Sequence, residues 1–203
     1  LAGLLDLPES SVRVIAPEVG GGFGAKIGVY REELVTAALA KQHKRPVKWI
    51  ESRSENLLSM NHGRCQEAEI ELAADANGKV SAIRLTVWGE AGAYAMGLDM
   101  PPITTMMSTG CYDIPNVDLK AYAIYTNTMA IGAYRGAGRP EAAYYIERAM
   151  DLLAHQMGKD PAEVRRVNFL RPEQFPYESP AGFKYDTGEY EKNLDKALEV
   201  SDY

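Results

Sequence analysis

Glycines crowd into one short stretch of this chain, "EVGGGFGAKIGVY", which spans residues 18–30. Gly20, Gly21 and Gly22 are consecutive, and Gly24 follows after a single phenylalanine. Inside a helix or strand each glycine costs about 0.5–1 kcal/mol relative to alanine, so regular structure is strongly disfavoured here. The stretch therefore predicts a loop whose bare backbone comes close to another group.

A second glycine-rich stretch, "AYRGAGRPEA", spans residues 133–142 and is built in the same way. Each stretch follows a predicted strand and leads towards a predicted helix, where free N–H groups and the helix dipole attract anions. Each also carries an aromatic ring and at least one cation, namely Phe23, Lys26, Tyr134, Arg135 and Arg139. One such loop alone is most often a tight turn, but two of the same make-up indicate a site for a phosphate-bearing, partly aromatic cofactor.

Composition narrows the possible partners. Hydrophobic residues make up 46% of the 203 residues, which allows a buried core. The net charge is −6, and no basic run is present, which argues against nucleic acid and anionic membranes as partners. No apolar run reaches the roughly 18–20 residues that a membrane span needs. Because the chain begins at Leu1 without an initiator methionine, we expect it to be a piece of a longer protein.

Cysteines and histidines are few and scattered. Cys65 and Cys111 lie far apart and form no C-x-x-C motif, which is typical of reduced thiols in a cytoplasmic protein. The three histidines share no metal-ligand spacing. We therefore expect no metal ion bound directly by the protein's side chains.

The N-terminal quarter predicts a small unit of alternating strand and helix. Val12–Ala16 and Val47–Glu51 are predicted strands on either side of a helix over residues 31–43. The apolar face of that helix is predicted to hold Leu34, Val35, Ala38 and Leu39. This order favours a parallel βαβ unit. One helical turn capped by Ser54 is predicted to follow, within a sub-boundary near residues 52–63.

The remainder predicts a hairpin, a further strand and helices. Glutamates alternate with apolar residues over residues 67–74, and a turn at Asp75–Gly78 leads into a second alternating run that holds Ile83, Leu85 and Val87. Residues 90–102 are predicted to be irregular, and residues 117–126 to form another strand. A helix is predicted from Pro140 to Gly158, with apolar residues at helical spacing at Ala143, Ile146, Met150, Leu153 and Met157. A helix capped by Asp160, a loop over residues 171–189 and a last helix from residue 190 are predicted to follow. The predicted fold class is α+β, a mixed sheet with flanking helices.

Known glycine fingerprints fit the first stretch poorly. A P-loop needs Ser or Thr after its lysine, but Ile27 follows Lys26. A dinucleotide fingerprint fits loosely as Gly20-x-Gly22-x-x-Ala25, with Glu51 as the ribose-binding acid. A dinucleotide-binding dehydrogenase domain therefore remains an alternative at this point. So does a non-catalytic interaction module that presents the acidic strand face of Glu67, Glu69 and Glu71.

Taken together, "VRVIAPEVGGGFGAK" and "AYRGAGRPEA" resemble the molybdenum-binding large subunit of the xanthine dehydrogenase, aldehyde oxidase and carbon monoxide dehydrogenase family. The resemblance covers residues 1–203, including "HQMGKDPAEVRRVNFL". It implies a molybdenum ion held by a molybdopterin dithiolene, in bacterial members often as the cytosine dinucleotide. It also implies hydroxylation of an aldehyde, N-heterocycle or similar small molecule with oxygen from water. Iron–sulfur clusters and FAD would sit on partner subunits or domains, in a cytoplasmic dimer of heterotrimers.

The resemblance assigns roles to particular residues. The first cofactor loop of the family matches Gly21, Gly22, Phe23 and Gly24, and the second, which runs beside the metal, matches Ala133, Tyr134, Arg135 and Gly136. Arg135 is then a catalytic candidate, as a fixed cation beside developing negative charge; the alternative is that it braces the loop by bonding carbonyls. The family's general base, a glutamate nearer the C-terminus, has no match here, so we expect this chain alone to be inactive.

Three positions depart from better-known members and bear on the substrate pocket. Ile27 stands where purine-oxidising members carry a glutamate, so purine specificity is not supported. Gly136 stands where carbon monoxide dehydrogenases carry the cysteine that bridges copper to molybdenum, so that copper route is not supported either. Ala137 replaces a bulky ring and predicts a less filled substrate slot. The second loop resembles the carbon monoxide dehydrogenase-like group, whose substrates are diverse.

Overall fold

A three-stranded mixed sheet lies at the centre of the fold. The computed structural model describes residues 1–203. In chain order its elements are α1 (Arg31–His43), α2 (Arg53–Ser59), β1 (Gln66–Ala74), β2 (Val80–Gly92), α3 (Met100–Met106), β3 (Asn116–Tyr125), α4 (Arg139–Met157), α5 (Pro161–Arg166), β4 (Tyr177–Glu178), β5 (Lys184–Tyr185) and α6 (Tyr190–Ser201). None of the helices is both long enough and apolar enough to cross a membrane. The predicted α+β class with a mixed sheet is confirmed.

Strand β2 is the middle strand of that sheet. It pairs antiparallel with β1 and parallel with β3. The hairpin turn forms because the Asp75 carboxylate accepts the N–H groups of Asn77 at 2.8 Å and Lys79 at 3.0 Å. Alternation along β2 buries Ile83 and Leu85 on one face, as the sequence predicts. The parallel β2–β3 pair needs a crossover, and that connection contains α3.

Helix α4 packs against the sheet and completes the core. Its buried residues include Ile146 and Met150, which cluster with Val80, Ile83 and Ile114. Pro140 lies in its first turn, and Gly158 ends it with a φ of +64°, so both predicted boundaries are confirmed. The predicted apolar face is shifted by one position at its start, since Ala142 is buried and Ala143 is exposed.

Asn168 ties the hairpin turn to helix α5. Its side chain is fully buried and uses three hydrogen bonds. The Asn168 carbonyl oxygen accepts from the Val80 N–H at 2.8 Å, and its amide donates to the Gly78 and Val164 carbonyls at 2.7 and 2.8 Å. The adjacent α5 is capped by Asp160, as predicted, through the N–H groups of Ala162 and Glu163.

The two strands predicted in the N-terminal quarter are wrong. Residues 12–16 and 47–51 belong to no strand, because no neighbouring strand of this chain pairs with them. Their apolar side chains stay in the open, with Val14 at 74% and Ile15 at 68% exposure. The βαβ unit is therefore not formed within this chain, although α1 spans the predicted residues 31–43.

Helix α1 buries little of its predicted apolar face. Val35, Ala38 and Leu39 are exposed, and no residue of α1 is buried. The same holds for the whole N-terminal part, since the first buried residue of the chain is Gly78. Residues 1–77 thus contribute partly buried surface to the fold but no fully buried core residue.

Three smaller predictions also need correction. Helix α2 is capped by Ser52 rather than Ser54, because Ser52 and Glu55 form a reciprocal capping box. Residues 100–102, the end of the stretch predicted to be irregular, begin α3, since the N–H that proline lacks has no acceptor in the first turn of a helix. The predicted loop over 171–189 contains a 3-10 turn at Pro172–Gln174 and the two-residue strands β4 and β5.

The Asn168 contacts give a stability prediction. Replacing Asn168 with Ala leaves the buried Val80 N–H and Gly78 carbonyl without their hydrogen-bond partner, so the free energy of unfolding should fall by about 2–4 kcal/mol. Chemical denaturation of the chain measures the change. Asn193, exposed on α6, provides the matched control: Asn193→Ala should change the free energy by less than about 0.5 kcal/mol. Equal effects of the two substitutions would contradict the assignment.

Candidate functional site

The two glycine stretches, far apart in sequence, meet in space. We call residues 18–30 the first glycine loop and residues 133–138 the second glycine loop. The N–H of Arg135 donates to the carbonyl of Phe23 at 2.8 Å. Gly24, with a φ of +97°, lies so close to the second loop that a Cβ there would collide with the Ala133 carbonyl. The glycine at this position is therefore required by loop-to-loop contact.

Backbone N–H groups without acceptors line both loops. None of the five N–H groups of residues 20–24 donates a hydrogen bond within the chain. The same is true of Gly136 and Gly138 in the second loop, both of which have positive φ. Backbone N–H groups need a partner, either water or a ligand, and a run of them in turns is a known means of binding anions. The loops thus offer a set of donors to a ligand that carries oxygen or nitrogen acceptors.

The predicted cations play different parts in the loops. The Lys26 ammonium donates to the Gly21 carbonyl at 2.7 Å, and the Arg139 guanidinium donates to the Gly136 carbonyl at 3.3 Å. Both side chains therefore brace the backbone. The Arg135 guanidinium makes no hydrogen bond within the chain and lies 5.7 Å from the centre of the Phe23 ring. Its donors remain available to a ligand, and the bracing of the second loop is carried by other side chains.

Arg64, which the sequence analysis does not single out, contacts the second glycine loop directly. Its guanidinium donates to the Arg135 carbonyl at 2.9 Å and to the Tyr134 carbonyl at 3.3 Å. It also pairs with Glu141 at 3.5 Å, in the first turn of α4. Arg64 lies outside both glycine stretches and in no recognisable motif, so no local signal in the sequence identifies it.

The segment around Arg64 runs beside residues 130–132, which lead into the second glycine loop. The N–H of His62 donates to the Ala130 carbonyl at 3.0 Å, and the N–H of Gly132 donates to the His62 carbonyl at 2.8 Å. Gly63 lies so close to Tyr134 that a Cβ at Gly63 would be 2.6 Å from the Tyr134 Cβ. His62 therefore has a backbone role in docking this segment.

Ile27 and Ala137 do not line the cleft that adjoins the first glycine loop. Ile27 is 77% exposed, and Ala137 is half-buried with a φ of +46°. A cleft of about 430 Å³ does adjoin the end of the first loop, and its lining includes Tyr30, Asn61 and Tyr94. Neither Ile27 nor Ala137 lines that cleft, so their place in a substrate pocket stays a prediction.

The dinucleotide fingerprint is wrong for this chain. No strand precedes the first glycine loop, whereas the fingerprint needs its glycines directly after one. Glu51, the predicted ribose-binding acid, instead accepts hydrogen bonds from Asn56 at 2.7 Å and Ser59 at 3.3 Å. Its carboxylate is therefore engaged in holding α2.

Metal-ligand chemistry in the side chains is sparse. No group of three or more His, Cys, Asp or Glu side chains is arranged to hold a metal ion. Cys65 and Cys111 are free thiols. Burial raises the pKa of Cys111 to about 11, which keeps this thiol protonated near neutral pH and makes it a poor nucleophile.

Comparison with known proteins assigns this chain to a family. The molybdopterin cofactor-binding domain family matches residues 1–169. The chain is 40% identical, over 98% of its length and 26% of the other protein, to the carbon monoxide dehydrogenase large chain of Hydrogenophaga pseudoflava. It is 37% identical, over its full length and 25% of the other protein, to the nicotine 6-hydroxylase large subunit of Paenarthrobacter nicotinovorans.

A solved structure agrees with these sequence matches. The reconstituted CO dehydrogenase from Oligotropha carboxidovorans superposes with a TM-score of 0.93 at 39% identity, over 100% of this chain and 26% of that one. The chain therefore belongs to the molybdopterin cofactor-binding domain family, as its glycine motifs predict. It spans about a quarter of the length of the relatives that it matches.

The loop-to-loop contact gives a prediction that needs no ligand. Gly24→Ala should separate the loops, because its left-handed φ and the Ala133 carbonyl both exclude a Cβ, and it should lower the free energy of unfolding by about 1–3 kcal/mol. Gly20→Ala is the matched control, since a Cβ there meets nothing within 4 Å. Hydrogen exchange at the Arg135 amide should accelerate in the first variant alone. Unchanged exchange in Gly24→Ala would contradict the contact.

Proposed function

We propose that the protein containing this chain is the large subunit of a molybdenum hydroxylase, and that the two glycine loops hold its molybdopterin cofactor. One observation carries the proposal. This chain belongs to the molybdopterin cofactor-binding domain family, and its two glycine loops meet in space. The first loop presents five consecutive N–H groups that have no acceptor in the chain. The substrate would be an aldehyde, an N-heterocycle or a similar small molecule. A hydroxylase of nicotine among the relatives supports that class.

The residues present fit the cofactor. Its phosphate oxygens and the polar edge of its pterin accept hydrogen bonds, and the loops offer backbone donors. Gly20 and Gly22 leave room for close approach, since added Cβ atoms there would meet no backbone. The proposed binding residues are Gly21, Gly22, Phe23, Gly24, Ala133, Tyr134, Arg135 and Gly136. A cytosine dinucleotide form would add a second phosphate to be bound by the same kind of donor.

The chain's own contribution to the reaction is positioning and charge. When bound, the molybdenum cofactor supplies the hydroxylation with water-derived oxygen and takes up the two electrons. Arg135 would stabilise negative charge that develops on the substrate, because its guanidinium makes no hydrogen bond to the chain. Ile27 and Ala137 would leave the substrate slot apolar and open. Gly136 has no side chain to bind a second metal, so a copper-dependent reaction is not part of the proposal.

The assembly is proposed to match that of multi-subunit relatives. Two of these relatives are named as a large chain and a large subunit. Iron–sulfur clusters and FAD on partner subunits or domains would carry electrons away, in a dimer of heterotrimers. The proposed compartment is the cytoplasm, which suits the free thiols of Cys65 and Cys111.

Gly22 gives the direct test of cofactor binding. In the full-length protein, Gly22→Val should lower the molybdenum content while the melting temperature is kept, because the only nearby atom is the Lys26 Cβ at 3.5 Å. Elemental analysis measures the metal. Gly3→Val, at another open glycine outside both loops, should keep full content. Full molybdenum content in Gly22→Val would show that this loop does not hold the cofactor.

Arg135 gives the test of the catalytic role. In the full-length enzyme, Arg135→Met should keep molybdenum but lower kcat roughly 10²–10³-fold, the usual loss for one preorganised donor. Arg135→Lys should recover only part of the rate, because lysine keeps the charge and loses the planar fork. Arg148→Met, at an exposed position of α4, is the control and should be unchanged. Normal turnover in Arg135→Met would place Arg135 outside the active site.

A further inference from the structure

We propose that Arg64 is a positioning residue of the cofactor site, which fixes the peptide groups of the second glycine loop; this inference rests on the proposed function. Its guanidinium binds two consecutive carbonyls, those of Tyr134 and Arg135, at 3.3 and 2.9 Å. Arg64 comes from the segment between α2 and β1, 71 positions before Arg135. It touches no residue of the first loop by hydrogen bond.

Because peptide groups are planar and trans, these two hydrogen bonds fix the orientation of the loop backbone. In such a peptide the C=O and the following N–H point to opposite sides. Holding the Tyr134 carbonyl therefore directs the Arg135 N–H away from Arg64, and that N–H bonds the Phe23 carbonyl of the first loop at 2.8 Å. Holding the Arg135 carbonyl likewise directs the Gly136 N–H, which has no acceptor in the chain. The Tyr134 carbonyl also accepts the Ala137 N–H at 2.7 Å, so Arg64 and this turn bond together set the junction between the loops. The Arg135 carbonyl, which directs the free Gly136 N–H, is held by Arg64 alone.

Contacts with neighbouring side chains hold Arg64 in place although its backbone conformation is unfavourable. Arg64 and Cys65 have φ values of +74° and +49°, a left-handed conformation that non-glycine residues rarely adopt. Glu141, whose side chain is only 10% exposed, supplies the counter-charge, and its second oxygen has no hydrogen-bond partner. The Arg64 guanidinium also lies 5.3 Å from the centre of the Tyr134 ring. Pairing and stacking keep the fork directed at the two carbonyls.

The competing role for Arg64 is simple charge compensation of Glu141. Arginine and lysine differ here in a useful way. A lysine ammonium can neutralise Glu141 as a point charge, but it cannot bind two adjacent carbonyls with a planar fork. Lysine should therefore restore stability and leave the loop unfixed.

The experiment compares Arg64→Met and Arg64→Lys in the full-length protein, with Arg84→Lys as the matched control. Arg84 lies on β2 and bonds two exposed carboxylates, those of Glu71 and Asp118. We expect Arg64→Met to lose both melting temperature and molybdenum. Arg64→Lys should regain the melting temperature but show about tenfold faster exchange of the Arg135 and Ala137 amides, which are the hydrogen-bonded N–H groups of residues 133–138, and a reduced molybdenum content. Arg84→Lys should match the wild type in all three measurements.

Two results would overturn the positioning role. One is an Arg64→Lys protein with wild-type loop exchange and full molybdenum, which would make a point charge sufficient. The other is an Arg64→Lys protein that no longer folds, which would make Arg64 a stability residue. Exchange is measured on the metal-free protein as well, so it tests Arg64 even if Gly22→Val keeps its molybdenum and the cofactor assignment fails.

Discussion

The pairing of β2 on both edges is the constraint on which the site depends. Because β1 is antiparallel and β3 parallel to β2, the start of β1 and the end of β3 lie at the same end of the sheet. The register shows this, since Gln66 pairs with Gly89 and Tyr125 pairs with Gly92. Arg64 stands just before β1, and the second glycine loop follows β3. Their contact is therefore a consequence of the sheet's topology.

Local signals in the sequence predict those parts of the fold whose causes are local. The Asp75 turn, the alternation of β1 and β2, the Asp160 cap and the Gly158 stop each depend on a few neighbouring residues. The segments 12–16 and 47–51 have strand-like sequences, but a strand exists only with a partner, and none in this chain pairs with them. Their misprediction follows from this non-local requirement.

In the candidate site, too, the features with local causes can be predicted from the sequence and those with non-local causes cannot. Both glycine loops can be found from sequence because glycine at a positive φ and bare backbone leave a compositional trace. The contact between the loops, and the different uses of Lys26, Arg135 and Arg139, follow only from the three-dimensional arrangement. The role of Arg64 cannot be predicted from the sequence, since an arginine that binds main-chain carbonyls needs no particular neighbours in sequence.

The contacts that join the two glycine loops and Arg64 are long-range, which has a consequence for the order of folding. Phe23 and Arg135 lie more than a hundred positions apart, and Arg64 and Arg135 lie 71 apart. Closing loops of that length costs conformational entropy before any single hydrogen bond can repay it. The sheet reduces this cost, because β2 brings both of its neighbours to a common end. We therefore expect the donors of the two loops to come into register only after the β1–β2–β3 sheet has formed, which makes the site one of the last parts of the chain to assemble.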